Sequence, residues 1–309
     1  MGRFLVLLSA VCFGAMAIFG KLAYEAGVTP QVLLMLRFSM AAAMLGLVLL
    51  VRPKLRSLET VAQPAPRGPV LRRVILIAVG LGAIGYALQS TFYFSALERM
   101  DASLTALILY TYPALVTIGS AVLGRERLTR RRVVALLAAS AGTVLILLGV
   151  GRLRFDLLGV GLGFAGAVTY TAYILVSDTV VNRLPPAVLT TLVMAGAAVT
   201  LTGRVAVTGG FDIHLQPIGW VWIGCIALVS TVVAMLAFFA GLARTGPSTA
   251  SILSTFEPVV TTVLATATLH EFITPVQLVG GLLVLGAAIV VQLKRPVVAP
   301  APVEVAVES

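Results

Sequence analysis

Glu257, followed at once by Pro258, interrupts an apolar stretch of helix-spanning length, Ser248–Glu271. A carboxylate in such a stretch can take up and release a proton, hold the cationic part of a solute, or pair with a buried base. Any of these must offset the cost of placing a charge at membrane depth. The proline removes a backbone donor and frees the carbonyl four residues back, at Ser254. Ser251, Ser254, Glu257 and Thr261 recur at steps of three, three and four, close to one helical face. Such a polar stripe is expected to face protein or water, although hydroxyls alone also suit their own helix backbone and close helix packing. Arg37 is the only basic residue well inside an apolar run. It lies near enough to one end for its head to reach the interface, and it is also the natural partner for a structural ion pair with Glu257.

Aromatic residues form the second pattern. Tyr86, Gln89, Ser90 and Tyr93 share helical spacing, Tyr110 and Tyr112 precede Pro113, and Tyr170 and Tyr173 stand one turn apart. Tyrosines of an interface belt sit near span ends. Several of these fall nearer the middle, where the hydroxyl needs a partner. A hydrated, aromatic-walled cavity is expected, with tyrosines bonded across helices as the plainer alternative. The candidate substrate-binding set is Tyr86, Gln89, Tyr110, Tyr112, Tyr170, Tyr173, Ser254 and Glu257, with Pro113 and Pro258 as candidate hinges. No catalytic residue, metal or cofactor is expected. There is no phosphate-binding loop, zinc-protease motif or nucleophile elbow. The only histidines are His214 and His270, and Cys12 and Cys225 sit in apolar runs without metal-ligand spacing.

The elements that must position these residues are membrane spans. Of 309 residues, 59% are hydrophobic and 11% charged, against about a quarter charged in a typical soluble domain. The net charge of +10 sits in short loops, which points to orientation in a bilayer rather than to nucleic acid. Apolar runs predict an all-α integral membrane protein with ten transmembrane helices, at about 4–22, 28–51, 74–97, 102–123, 133–150, 157–177, 186–202, 220–242, 247–269 and 276–293. The first run could pass for a secretory signal, but it is long and has no clear cleavage site, so it reads as a retained span. The tail 296–309 reads as disordered. Arginine and lysine concentrate in 52–73 and 125–132, which makes those loops and both termini cytoplasmic.

A constant shift of 145 superimposes Phe94 on Phe239, Leu97 on Leu242, Arg99 on Arg244, Ser103 on Ser248, Pro113 on Pro258, Thr117 on Thr262, Glu126 on Glu271 and Thr129 on Thr274. The chain therefore divides into five-helix repeats at 1–150 and 151–295. An odd number of spans per repeat makes the second copy enter the membrane inverted, and inverted repeats mark secondary transporters with sites near the midplane. Glu126 and Glu271, ending equivalent helices, are expected to cap the following helix or to pair with nearby arginines.

In this setting the chain resembles the EamA-type transporters of the drug/metabolite transporter superfamily. The resemblance rests on Phe13-Gly14, Arg37-Phe38, Ala96-Leu97 through Ala102-Ser103 into Tyr112-Pro113, Gly124-Arg125-Glu126-Arg127-Leu128, and Glu257-Pro258-Val259 through Glu271. It implies ten helices, an inverted repeat, and a central cavity walled by spans one, three, four, six, eight and nine. It also implies export of small metabolites, amino acids being one substrate class. Many relatives have Trp where this chain has Phe13, and a Trp-Ala-x-Tyr pattern where it has Tyr170-Thr171-Ala172-Tyr173.

The expectation is a multi-pass transporter of the cytoplasmic (inner) membrane, exporting amino acids or related small metabolites by alternating access. Its partners would be a small-molecule substrate and the lipid bilayer, with a proton as candidate coupling ion, in a monomer or homodimer. The alternatives are movement of cationic or amphipathic drugs or other metabolites, and a non-transporting receptor or structural protein.

Overall fold

A computed structural model describes residues 1–56, 67–97, 99, 102–148, 156–208, 215–269 and 274–292. The remaining expectations, including those for His214, His270, Glu271 and the tail, lie outside these residues. All regular structure among the described residues is helical. In chain order the helices are α1 (Gly2–Glu25), α2 (Pro30–Val51), α3 (Gly68–Gly80), α4 (Ala87–Leu97), α5 (Ala102–Leu109), α6 (Tyr112–Val122) and α7 (Arg130–Leu148). They continue as α8 (Leu157–Val180), α9 (Pro186–Thr208), α10 (Pro217–Ala227), α11 (Ala234–Thr245), α12 (Pro247–Ser254), α13 (Glu257–Leu269) and α14 (Pro275–Gln292).

Local chemistry sets these boundaries. Thr29 accepts from the Val32 N–H ahead of Pro30, and Asp156 accepts from the Gly159 N–H at 2.6 Å, so α2 and α8 each begin on a side-chain cap. Among the described residues, eight helical stretches are long and apolar enough to cross a membrane: Gly2–Glu25, Pro30–Val51, Gly68–Tyr93, Arg130–Leu148, Leu157–Val180, Pro186–Thr208, Pro217–Thr245 and Pro247–Thr268. Two expected spans are shorter here. Pro275–Val290 is one, and Tyr112–Val122 is the continuous part of the other.

That second shortening has a clear cause. The expected single helix over 102–123 is broken at Tyr110–Thr111, because Pro113 has no N–H with which to continue the ladder. The chain turns instead through Thr111 N–H to Ile108 C=O at 3.1 Å, and the Thr111 hydroxyl donates to the same carbonyl at 2.8 Å. Ahead of Pro258 the same device recurs. Thr255 N–H and its hydroxyl both bond Ile252 C=O, the hydroxyl at 2.6 Å, and α12 ends there.

Two further irregularities are π-helical. The turns Leu81–Tyr86 and Leu228–Val233 widen the helix between α3 and α4 and between α10 and α11, and π-turns inside α-helices are frequent at functional sites. Packing elsewhere depends on missing side chains. A Cβ on Gly82 would strike the Val193 carbonyl, and one on Gly196 the Val79 carbonyl, so α9 lies backbone against backbone on the first π-turn and the end of α3. Gly142 and Gly280 pair in the same way between α7 and α14. Small residues of this kind let helices approach where no hydrophobic force separates lipid from protein. Large apolar side chains meanwhile cover the outside: Leu76 is 62% exposed, Val199 74% and Val122 80%. This surface matches hydrocarbon and not water.

Candidate functional site

Around the centre of the bundle, the candidate residues come from α2, both broken helices, both π-turns and α8. Arg37 is only 3% exposed. Its Nε donates to Thr231 Oγ1 at 2.7 Å and its Nη2 to the Tyr86 hydroxyl at 3.1 Å. The guanidinium also lies 4.9 Å from the Phe38 ring centroid and 6.0 Å from that of Tyr86, within reach of a cation–π attraction. Arg37 therefore does not reach out to the interface as its sequence position suggested. Nor does it form the expected ion pair with Glu257. The ion pairs found among the described residues are Arg125–Asp178 and Arg132–Glu126. The two partners of Arg37 stand 145 positions apart, the shift that superimposes the halves of the sequence, and each closes a π-turn or sits within one. Thr231 in turn donates to Ile226 C=O at 2.9 Å, five residues back.

The tyrosines come together as a row of rings. Phe38 meets Tyr86 edge-on at 5.0 Å, and Tyr86 meets Tyr173 at 5.5 Å. Tyr173 stacks with Tyr170 at 6.0 Å, Tyr170 meets Tyr112 edge-on at 4.7 Å, and Tyr112 lies 6.0 Å from Tyr110. Phe239 adds a side contact to Tyr173 at 6.4 Å. Tyr86, Tyr112 and Tyr173 are buried, and Tyr110 and Tyr170 partly so. The Tyr173 and Ser177 hydroxyls are buried beside each other, with no hydrogen bond of good geometry to either. Gln89 is buried on α4, where its Oε1 accepts from the Ser90 hydroxyl at 3.4 Å.

At the far end of the row stands Glu257. It is half-buried at the first position of α13, the Tyr110 side chain lies beside its carboxylate, and Arg37, Tyr93, Tyr112 and Tyr170 lie within its electrostatic reach. Its place at a helix N-terminus favours a negative charge there. The need for Gly14 in the first span is steric: a Cβ there would meet the Glu257 carbonyl at 2.9 Å and Val260 at 2.8 Å. The Gly14 carbonyl accepts from the Thr261 hydroxyl at 3.0 Å, fastening α1 to α13.

The rest of the expected polar stripe is local. Ser251 donates to Ser248 C=O and Ser254 to Ala250 C=O, both at 3.0 Å, so these hydroxyls serve their own helix. The break at Thr255–Phe256 also puts Ser251 and Ser254 on a different helix from Glu257. Ser254 remains beside the site through its hydroxyl contact with Tyr112. Pro113 and Pro258 both fall in the first turn of the helix after a break, where proline is tolerated. Phe38, Thr231 and Phe239 join the site without having been candidates for it. Phe38 stood out only beside Arg37 and Phe239 only as the repeat counterpart of Phe94, while Thr231 lies at the same 145-residue offset from Tyr86.

Glu126 lies apart from this row. Its Oε2 accepts from the Ser248 N–H at 3.3 Å and pairs with Arg132 at 3.4 Å. The expected pairing with an arginine is present, but the helix it caps is α12 rather than the next one. A separate cleft of about 130 Å³ opens between α2, α4 and α9, lined by Gln31, Thr91, Ser95 and Arg204 among others. It does not take in the tyrosine row.

The bundle of apolar helices thus gathers Arg37, Glu257 and the tyrosines on its inside. The EamA-like transporter family model matches residues 1–148 and again 157–293, and the chain belongs to that family. It is accordingly a multi-pass secondary transporter of small molecules and not an enzyme. It is 25% identical over 287 residues to the uncharacterized transporter YcbK of Bacillus subtilis, covering 90% of this chain and 88% of that protein. It is 30% identical over 190 residues to the aromatic amino acid exporter YddG of Ancylobacter novellus, covering 59% of this chain and 63% of the relative. A protein of known crystal structure shares the fold, with a TM-score of 0.76 at 22% identity over 94% of this chain and 96% of that one.

Proposed function

We propose that the protein exports amino acids or related small metabolites across the cytoplasmic membrane by alternating access of two inverted five-helix repeats, ten spans in all, with both termini in the cytoplasm. The observation that carries this reading is the row of tyrosines from Tyr86 to Tyr110, with a buried cation at one end and Glu257 at the other. A site with both signs of charge and an aromatic wall suits a zwitterion bearing an apolar side chain. The likeness to an aromatic amino acid exporter supports the same class. In this scheme Tyr86, Gln89, Tyr110, Tyr112, Tyr170, Tyr173 and Ser254 wall the site, Glu257 takes the ammonium group or a coupling proton, and the breaks ahead of Pro113 and Pro258 flex between the two states.

A second reading is export of organic cations, favoured by the several tyrosines that surround the single carboxylate Glu257. One experiment separates the two. Protein reconstituted in liposomes is loaded with a panel of amino acids, amines and organic cations, and efflux is followed with and without an imposed pH gradient. Amino-acid efflux above empty liposomes supports the first reading, and efflux of cations alone supports the second. A panel that does not move at all overturns both.

A further inference from the structure

We infer that Arg37 is an anion subsite of the transport path, so that a transported solute must carry a carboxylate or a comparable anionic group. This inference rests on the proposed export function and adds to it the chemistry that selects the cargo.

A guanidinium buried this deeply normally has a carboxylate against it, because a charge taken out of water without a counter-charge is costly. Arg37 is 3% exposed, and among the described residues no carboxylate contacts it. Its hydrogen-bond partners are two hydroxyl oxygens, Thr231 Oγ1 and Tyr86 Oη, bound through Nε and Nη2. A guanidinium has five N–H donors in a fixed fork that matches a carboxylate two bonds at a time, so three donors remain, including both on Nη1. The Phe38 and Tyr86 rings lie 4.9 and 6.0 Å from the guanidinium carbon, and the unused N–H groups of the fork are what a ligand would meet.

The two hydroxyls that orient the fork come from π-turns in different halves of the chain, so a relative movement of the halves would re-aim the fork. Glu257 acts on Arg37 only from beyond ion-pair contact. A buried arginine whose fork holds no carboxylate is explained by an anion that comes and goes.

The test uses the full chain in liposomes with three probes of one shape: phenylalanine, phenylalaninamide and phenethylamine. Counterflow is measured for the wild type, Arg37→Gln, Arg37→Lys and Thr231→Val. Wild-type protein should prefer the acid over both carboxylate-free probes by tenfold or more. Arg37→Gln should bring that ratio to near one, Arg37→Lys should keep part of it, and Thr231→Val, which leaves the charge but releases its aim, should lower it severalfold. If Arg37→Gln does not yield folded protein, the lysine and valine variants carry the comparison, and an unchanged ratio in both overturns the inference. Equal wild-type transport of acid and amide also overturns it while leaving export intact. Transport of none of the three by the wild type counts against the export of amino acids itself and takes the subsite with it.

Discussion

The carboxylate of Glu126, in the loop after α6, accepts a hydrogen bond from the backbone N–H of Ser248 at 3.3 Å, across 122 positions of sequence. It thus closes the N-terminus of α12, the first segment of the broken helix that leads to Glu257. Gly246, just before that helix, has a positive φ of 77°, and a Cβ there would strike the Glu126 carboxylate. Loop and helix are shaped to each other.

Removing this cap should cost stability without touching the tyrosine row. Glu126→Ala is expected to lower stability by about 1 kcal/mol, the usual cost of losing a helix N-cap. Arg132→Ala, which removes a partly exposed ion pair and an exposed hydrogen bond to the Arg127 carbonyl, should cost less than ~1 kcal/mol. Melting of the detergent-solubilised protein gives the order, and equal shifts for the two variants would show that the cap contributes nothing.

One substitution, glycine to alanine, should have opposite signs at two helical positions. Gly20 has open space where a methyl group would stand, with no heavy atom within 4 Å, whereas Gly196 faces the Val79 carbonyl at contact distance. Gly20→Ala should be neutral or stabilise by up to about 1 kcal/mol through helix propensity. Gly196→Ala should destabilise by about 1–3 kcal/mol as α3 and α9 are forced apart. Thermal melts of both variants test this, and a stable Gly196→Ala protein would contradict the backbone contact.

Tyr173 separates folding from transport. Its buried hydroxyl lies beside that of Ser177 without good hydrogen-bond geometry, so Tyr173→Phe should change stability by less than about 1 kcal/mol. If that hydroxyl meets the solute, efflux of the preferred substrate should fall several-fold in a protein that melts close to the wild type. Full transport activity in Tyr173→Phe would remove the hydroxyl from the path.

Glu257→Gln distinguishes a proton carrier from a cation ligand. The amide keeps the size of the side chain and, because Arg37 is held by Thr231 and Tyr86, strands no partner in an ion pair. Folding should survive. A proton role predicts efflux that no longer responds to an imposed pH gradient, and an ammonium-binding role predicts weaker binding of amino acids with the gradient response retained. Wild-type transport and pH response together would exclude both.

Orientation follows from charge and is checked by labelling. Single cysteines placed in 52–73 and in 125–132 should react with an impermeant reagent only from the cytoplasmic side, and a cysteine at Asp212 only from outside. Reaction of either group from the opposite side would overturn the inverted arrangement of the two halves.

The class of fold was legible because the bilayer constrains it so strongly. Long apolar runs have to be helices, since a backbone in hydrocarbon has to bond to itself. Pro113 and Pro258 marked the two breaks for an equally local reason, the missing N–H, and a break does include the threonine ahead of each. Glu257 and the tyrosines stood out because polar and ionisable groups at such depth are rare.

Partnership was another matter. Arg37 was read against Glu257 because opposite charges in an apolar setting attract, yet its place is decided by Thr231 and Tyr86, two neutral hydroxyls on widened turns of distant helices. The π-turns have no mark in residue type, because they arise from how whole helices pack, and they rotate side chains that regular helical spacing would aim elsewhere. Glu126 likewise lies close in sequence to the start of α7, but it caps α12. Burial cost and backbone chemistry are properties of a residue and its near neighbours, and so can be read along the chain. Which polar group meets which across the bundle depends on the rotation and register of helices more than a hundred residues apart, and only the assembled structure sets those.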